Sequence, residues 1–414
     1  MQANWFTSMS VQERRTFWPC FAGWALDAMH VQLYALAMPT LITLWGLSKG
    51  QAGMLGTSAL LVSSLGGWFA GILADRIGRA RVLRLTIVWF ATFTFLSGFT
   101  HSYGQLLVAR ALQGLGFGGE WAAGAVLIAE VINKRIRGRA VGTVQSGWSV
   151  GYGAAVLLYT LVFSLAPPAQ AWRLLFFLGL VPALIVLWIC RAVEEPEVFR
   201  KMQGTLQAQQ RGSNFLEIFQ PSLLRTTLVT SLLAAGALGG NYTILTWLPA
   251  YLKTVQNLSV LNTGGYLAVN ICGSFLGYVF SAHLSDWLGR RRTFVITSLF
   301  AAVTIAIYTL LPLNREAVLW LGFPLGFFQS GIIAGMGATF AELFPTRVRA
   351  TGQGFSYNTG RGVGSIVPAV VGYVGGAVQL GRAIGICAIF SYALVLIATA
   401  LLPETRGKEL ETNG

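Results

Sequence analysis

The sequence predicts an all-α membrane protein with twelve transmembrane helices in two pseudo-symmetric six-helix bundles. Of its 414 residues, 54% are hydrophobic and only 11% are charged, whereas soluble proteins average about 25% charged residues. About twelve apolar runs each approach the roughly 20 residues that a helix needs to cross the hydrocarbon core of a bilayer. Two charged motifs also recur in both halves of the chain at nearly one offset, which indicates a duplicated unit.

The apolar runs give the predicted spans in chain order. The first run is the longest, so we expect this span to tilt or to extend beyond the bilayer. The segment between the sixth and seventh runs is polar and Gln-rich, which predicts a cytoplasmic linker with a short surface helix. The expected organisation is an N-terminal lobe (1–191), a linker (192–221), a C-terminal lobe (222–403) and a cytoplasmic tail (404–414). The span cores are 17–45, 54–74, 82–99, 105–131, 140–166, 172–191, 223–250, 263–283, 293–313, 317–343, 352–378 and 383–402.

The duplication is visible in the loops after the second and fourth spans of each half. An Asp, a Gly and an Arg after span 2 recur after span 8 at an offset of 211, and a Glu with two Arg after span 4 recurs after span 10 at an offset of 212. The two offsets are nearly equal, which predicts a repeat of six helices within one chain. The first copies are Asp75, Gly78, Arg79, Glu130, Arg135 and Arg137, and the second are Asp286, Gly289, Arg290, Glu342, Arg347 and Arg349.

The distribution of the excess basic residues indicates how the chain is oriented in the membrane. The formal net charge is +14, and with the N-terminus inside, 22 of the 29 Lys and Arg residues fall on inner segments and five on outer ones. This bias is the positive-inside rule, and it predicts that both termini are cytoplasmic. A nucleic-acid partner is therefore not expected. The four cysteines are spaced for neither a zinc site nor paired redox chemistry, so we expect no metal and no cofactor.

Several ionisable residues lie deep in predicted spans. Asp27, Glu120 and Arg361 each lie about 13–18 Å from a cytoplasmic end at 1.5 Å per residue, which is near the midplane, where transporters bind substrate. An ionised residue at this depth costs roughly 2.5–3.5 kcal/mol, so a partner, a water-filled cavity or a function is expected. Arg110 lies further outward, on the same span as Glu120, and His30 follows Asp27 by three residues, so those two can share a helix face.

The motifs resemble those of the major facilitator superfamily. The loop Gly71–Arg81, which includes Arg76, resembles the signature loop between spans 2 and 3 of that family. Arg110-Ala-Leu-Gln-Gly resembles its span 4 motif, and Pro403-Glu-Thr-Arg-Gly resembles the end of span 12 in sugar porters. This resemblance covers nearly the whole chain and implies two lobes with alternating access to a central site.

Within the superfamily, the acid in span 1 and the segments Gly118-Gly-Glu-Trp and Asn358-Thr-Gly-Arg are similar to proton symporters of organic acids. The opening segment is most similar to the cis,cis-muconate branch, and sialic-acid carriers come next. These relatives carry a second acid in span 1, where this chain has His30. The resemblance implies uptake of muconate, benzoate or protocatechuate in aromatic hydrocarbon catabolism, by a monomer in a bacterial inner membrane. A sialic-acid symporter and a metabolite exporter or antiporter remain alternatives.

These observations give a candidate site and candidate gates. Protons are the expected coupling ion, carried by Asp27 and Glu120 and modulated by Arg110 and His30. Arg361 is expected to bind the substrate carboxylate, because its planar fork makes two hydrogen bonds to such a group. Tyr357, adjacent to Asn358, is expected to point elsewhere unless the helix is distorted. The other binding candidates are Asn358, Tyr357, Asn241, Tyr242, Trp24 and Trp121, and an aromatic slot is expected to include Trp148, Tyr152 and Trp247 as well.

The cytoplasmic motifs are the predicted gates. Acids and cations stand together where the helices emerge, and charge pairs across the lobe interface can hold one conformation and break in the other. A positively charged signal that only fixes the inner side of the membrane would explain the cations but not the acids. A membrane enzyme is not expected, since no nucleophile elbow, metal spacing or phosphate loop lies between the spans. Gly114-x-x-x-Gly118 and Gly331-x-x-x-Gly335 predict close helix packing.

Overall fold

The described part of the protein consists of α-helices and one short 3₁₀ helix. The computed structural model describes residue 6 and residues 9–132, 137–191, 215–345 and 348–405, although not every helical side chain within these ranges. The N-terminal half contains α1 (Val11–Trp45), α2 (Lys49–Ile77), α3 (Arg79–Ser97), α4 (Tyr103–Val131), α5 (Arg137–Leu165), α6 (Pro168–Leu178) and α7 (Leu180–Cys190). The C-terminal half contains α8 (Pro221–Thr254), α9 (Val260–Leu288), α10 (Arg290–Leu310), α11 (Arg315–Leu343), α12 (Arg349–Gly364), α13 (Val367–Ala377) and α14 (Leu380–Leu401).

These helices form twelve membrane-spanning elements, because α6 with α7 and α12 with α13 each form one broken span. Within the described residues, nine segments are long and apolar enough to cross a bilayer by length and composition. The break in span 11 lies just before Pro368, whose nitrogen cannot donate to the carbonyl four residues earlier. The twelve-span prediction is confirmed, with two of its spans interrupted.

The duplication extends to the helix boundaries. Helices α2 and α9 begin at 49 and 260 and end at 77 and 288, which is the offset of 211 seen in the motifs. Helices α4 and α11 begin at 103 and 315 and end at 131 and 343, an offset of 212. The packing repeats as well: α2 contacts α4 as α9 contacts α11, and α1 contacts α5 as α8 contacts α12. Two equivalent six-helix bundles therefore form the molecule, as predicted.

Small residues allow the close approach of α2 and α4 within the first bundle. A Cβ added at Gly114 would overlap the Ala59 carbonyl, and one added at Gly118 would overlap the Ser63 carbonyl. In the second bundle, a Cβ at Gly331 would overlap the hydroxyl of Ser281 on α9. The predicted packing role of the Gly-x-x-x-Gly motifs is confirmed.

The lobes meet along α2 with α12 and α13, along α5 with α9, and along α1 with α8. Near the N-terminal end of α2, Lys49 Nζ donates to the Gly375 carbonyl at 2.8 Å. About two helical turns further along α2, Thr57 Oγ1 donates to the Ser365 carbonyl at 2.7 Å and accepts from the Ala369 backbone amide at 3.1 Å. Thr57 thus supplies partners for the backbone groups that the break in span 11 leaves free, and these bonds join the two lobes at this end.

Two glycines at equivalent positions make the tight turns between α2 and α3 and between α9 and α10. Gly78 has φ +109° and Gly289 has φ +95°, a backbone conformation that residues with a side chain rarely adopt. A Cβ at Gly289 would also lie 2.7 Å from Glu404 Oε2. The glycine of each repeated motif is therefore required by backbone geometry.

We expect Gly289→Ala to destabilise the C-terminal lobe. The strained φ costs on the order of 1–3 kcal/mol, and the carboxylate of Glu404 would have to move. Thermal unfolding of the purified protein in detergent measures the effect as a lower midpoint. Gly265→Ala on α9 is the matched control, because a Cβ there meets nothing within 4 Å. An equal midpoint for both variants would contradict the prediction.

Candidate substrate and proton site

Arg361 occupies the middle of the molecule, on α12 next to the break in span 11. It is 1% exposed, and its Cζ lies 4.9 Å from the Phe117 ring centroid and 5.1 Å from that of Tyr357. Aromatic faces attract a guanidinium but do not use its N–H groups. Within the described part of the chain, Nε and Nη1 of Arg361 have no hydrogen-bond partner. A buried guanidinium with free donors is suited to a carboxylate ligand.

Asp27 lies across the lobe interface from Arg361, near the centre of α1. Its side chain is 1% exposed, and its charge interacts electrostatically with the Arg361 guanidinium. The tyrosines 242 and 357 lie within electrostatic range of the same guanidinium. The sequence placed Asp27 and Arg361 at one depth, and in the structure the two side chains also lie within electrostatic range of each other.

The direction of the Tyr357 side chain differs from the one expected from the sequence. The sequence analysis expected it to point away from Arg361, because it is adjacent to Asn358. However, Tyr357 precedes Arg361 by four residues, which places the two side chains on one helix face. The distance of 5.1 Å between the Tyr357 ring and the Arg361 Cζ shows this contact.

Asn358 lies one helical turn before Arg361 and faces α2. Its Nδ2 donates to the Gly354 carbonyl at 3.0 Å, and its Oδ1 has no partner among the described groups. A Cβ at Gly67 would lie 2.7 Å from Oδ1, so glycine at this point of α2 makes room for the amide. Asn241 and Tyr242 are adjacent on α8 and are 5% and 4% exposed.

Aromatic rings of the N-terminal lobe form a wall beside Arg361. The Trp148 ring lies 5.2 Å from the Trp24 ring and 6.1 Å from the Phe117 ring. The indole nitrogens of Trp24 and Trp148 have no hydrogen-bond partner within the described set. Trp247 does not contribute to this wall: its Nε1 donates to the Pro368 carbonyl at 3.0 Å, which packs α8 against α13. The side chains of Glu120 and Trp121 lie outside the described residues.

Arg110 and His30 lie inside the N-terminal lobe. Arg110 Nη1 donates to Gln113 Oε1 at 2.5 Å, and its Cζ lies 4.8 Å from the Tyr34 ring. His30 has Nδ1 2.9 Å from the Leu26 carbonyl and Nε2 3.0 Å from the Gly179 carbonyl, at the break between α6 and α7. The observed contacts of both residues are thus made within this lobe. Their roles in proton coupling remain predictions.

The charged residues at one end of the C-terminal lobe, which the sequence predicts to be cytoplasmic, form one cluster. Arg290 donates to Glu342 through Nη2 at 2.7 Å and through Nε at 3.1 Å, a two-bond pair between α10 and α11. Glu404 accepts from the Arg290 amide at 2.9 Å, and Thr405 Oγ1 donates to Glu342 at 2.6 Å. This pair lies within one lobe, so it does not by itself connect the two lobes.

The remaining gating candidates fall largely outside the description. The surroundings of Gly71, the side chains of Asp75, Arg76, Arg79, Glu130, Arg137, Asp286 and Arg349, and all of Arg135 and Arg347 lie outside the described part of the structure. Gly78 and Gly289 form the tight turns described above. The gating role of the motifs therefore stays a prediction.

Sequence reasoning missed Gln329 and Ser149. Each is 1% exposed, and neither amide atom of Gln329 nor the hydroxyl of Ser149 has a hydrogen-bond partner in the described structure. Neither residue is charged, so the search for ionisable groups within apolar spans did not select them. Their signal was positional, since Gln329 is the central residue of α11 and Ser149 occupies, in α5, the position that Arg361 occupies in the second half.

Two pseudo-symmetric helical lobes with buried ionisable and polar groups between them define a secondary transporter. The family model described as Major Facilitator Superfamily matches residues 20–368, and this chain belongs to that family.

Relatives and solved structures agree with this assignment. The chain is 44% identical over 412 residues, covering 99% of this chain and 95% of the relative, to a probable 4-methylmuconolactone transporter of Cupriavidus pinatubonensis. It is 32% identical over 373 residues, covering 87% and 88% of the two chains, to the cis,cis-muconate transport protein of Acinetobacter baylyi. The inward-open xylose transporter XylE of E. coli superposes with a TM-score of 0.74 at 17% identity, covering 95% of this chain and 97% of XylE. The protein is therefore a multi-pass membrane transporter and not an enzyme.

Proposed function

We propose that the protein couples the uptake of a small organic anion to the entry of protons across a bacterial inner membrane. Candidate substrates are cis,cis-muconate, a muconolactone, and aromatic carboxylates such as benzoate or protocatechuate. The observation that carries the proposal is the buried Arg361, whose Nε and Nη1 have no hydrogen-bond partner among the described residues and whose charge interacts with that of Asp27 across the lobe interface. The similarity to carriers of muconate and methylmuconolactone supports the substrate class.

The proposed mechanism is a competition for Arg361. In the empty site, the Asp27 carboxylate stabilises the guanidinium. An incoming carboxylate takes the N–H groups of Arg361, and Asp27, which then loses its counter-charge in a buried setting, binds a proton. The net charge of the site is the same before and after loading, so the lobes can rock with the substrate and the proton enclosed.

Proton coupling also supplies the driving force. The cytoplasm is electrically negative, and moving one charge across the membrane costs about 2.3 kcal/mol per 100 mV. A co-transported proton cancels the charge of one carboxylate and adds the free energy of the pH gradient. The distribution of Lys and Arg predicts that both termini are cytoplasmic, so we expect the linker and the tail on the inner side of the membrane.

Uptake into proteoliposomes tests the proposal. With an acidic exterior, we expect radiolabelled muconolactone or benzoate to accumulate above its external concentration, and a protonophore to abolish the accumulation. Empty liposomes are the control. Accumulation that persists with a protonophore would contradict proton coupling, and accumulation of sialic acid in place of these acids would contradict the substrate class.

A further inference from the structure

The central site has a second polar end, which is uncharged. The first end consists of Arg361 with Asp27, between α12 and α1. The second consists of Gln329 on α11 and Ser149 on α5, whose buried polar atoms have no hydrogen-bond partner within the residues described. A buried amide or hydroxyl without a partner is costly, so these three atoms are candidates for polar groups that a ligand completes.

The internal symmetry places these two residues opposite each other. Phe117 is the central residue of α4, and it contacts Arg361 of α12 across the lobe interface. The offset of 212 maps Phe117 onto Gln329 and maps Arg361 back onto Ser149. The twofold relation between the lobes therefore turns the Phe117–Arg361 contact into a Gln329–Ser149 approach. Contact between α11 and α5 agrees with this placement.

The aromatic wall runs from Arg361 to the helix that carries Ser149. Trp148 immediately precedes Ser149, and its ring lies 6.1 Å from that of Phe117, which in turn lies against Arg361. A planar molecule beside this wall would present one end to the guanidinium and the other to the amide and hydroxyl. On the C-terminal side, Tyr278 of α9 interacts electrostatically with both Tyr242 and Tyr357 and hydrogen-bonds to Ser330, which follows Gln329.

The first end carries a cation and the second end is neutral, and this difference limits the number of charges that a substrate can carry. Arg361 offers one cation for one carboxylate. The other guanidinium found deep in a described span, Arg110, lies inside the N-terminal lobe against Tyr34 and Gln113. A second carboxylate at the Gln329 end would be a buried charge without a counter-charge, which is strongly unfavourable.

We propose that Gln329 and Ser149 form a neutral hydrogen-bonding subsite, which selects planar monocarboxylates with an uncharged polar group at the far end, such as a lactone carbonyl or a hydroxyl, over dicarboxylates. Among the candidate substrates of the proposed function, this subsite favours a muconolactone and hydroxylated aromatic acids over the dicarboxylate cis,cis-muconate. This inference rests on the proposed function, since it assumes that Arg361 holds the carboxylate. It assigns the specificity of the site to an amide on α11 and a hydroxyl on α5.

Three acids that differ only at the far end test the subsite: benzoate, 4-hydroxybenzoate and terephthalate. In proton-driven uptake into proteoliposomes, the native protein should prefer 4-hydroxybenzoate to benzoate about tenfold, which is the contribution of one net hydrogen bond, and should select against terephthalate. Gln329→Leu should reduce the ratio of the affinities for 4-hydroxybenzoate and benzoate about tenfold. Gln329→Lys should shift the selectivity toward terephthalate, because it supplies the missing counter-charge.

The results that would contradict the subsite differ from those that would contradict the proposed function. An unchanged ratio in Gln329→Leu, or equal uptake of terephthalate and 4-hydroxybenzoate by the native protein, would overturn the subsite. Absence of proton-driven uptake of these three acids, of muconolactone and of cis,cis-muconate by the native protein would overturn the proposed function instead. Ser149→Ala provides a second variant with the same expected direction, should Gln329→Leu fail to fold.

Discussion

Replacing Arg361 with lysine should weaken substrate binding by about 10- to 150-fold. Lysine keeps the positive charge but loses the planar fork, so one charge-assisted hydrogen bond of roughly 1.5–3 kcal/mol is lost. The ammonium group also cannot reproduce the contacts of the guanidinium with the rings of Phe117 and Tyr357, which lie 4.9 and 5.1 Å from Cζ. Equilibrium binding of the radiolabelled acid to purified protein measures the effect.

Arg315→Lys is the matched control for this change. Arg315 is an exposed arginine at the first position of α11, far along that helix from its centre, so native affinity is expected. Native affinity in Arg361→Lys would show that the carboxylate is held elsewhere.

The second large effect is expected for Asp27→Asn. Asparagine has nearly the same shape but cannot carry the proton, so accumulation of substrate against its gradient should stop. Exchange of labelled for unlabelled substrate should continue, because the loaded lobes can still rock when no proton has to be released. Parallel assays of accumulation and of exchange in proteoliposomes separate the two processes.

A control for Asp27→Asn is Glu316→Gln, which neutralises an exposed acid in the first turn of α11. Accumulation should be unaffected in that variant. Should Asp27→Asn accumulate substrate as the native protein does, the coupling proton must bind to another residue. Loss of exchange together with accumulation would show that Asp27 is needed for the conformational change itself.

The sequence predicted the fold because the bilayer imposes simple constraints on length and polarity. Hydropathy located the twelve spans, and the repeated motifs predicted helix boundaries that repeat at the same offsets. The break before Pro368 was harder to predict from the sequence. Proline weakens a helix wherever it occurs, but a break also requires partners for the freed backbone groups, and Thr57, which supplies them, lies on another lobe.

The candidate site was only partly predictable. Depth from the cytoplasmic ends placed Asp27 and Arg361 at one level, because burial of a charge is costly and therefore conspicuous in an apolar run. Gln329 and Ser149 are neutral, and their significance follows from symmetry and from unsatisfied atoms, which require a structure. The Arg290–Glu342 pair shows the same limit: the sequence places both residues in the C-terminal lobe, but only the fold shows that they bond to each other.

Proton uptake on substrate binding tests the competition for Arg361 most directly. Titration calorimetry of the purified protein in two buffers with different ionisation enthalpies gives the number of protons bound with each molecule of substrate. At a pH where Asp27 is ionised in the empty protein, the native protein should take up about one proton for each carboxylate bound, and Asp27→Asn should take up none. Equal proton uptake in the two proteins, or binding of the acid without protons in the native one, would contradict the proposal that the substrate displaces Asp27 from Arg361.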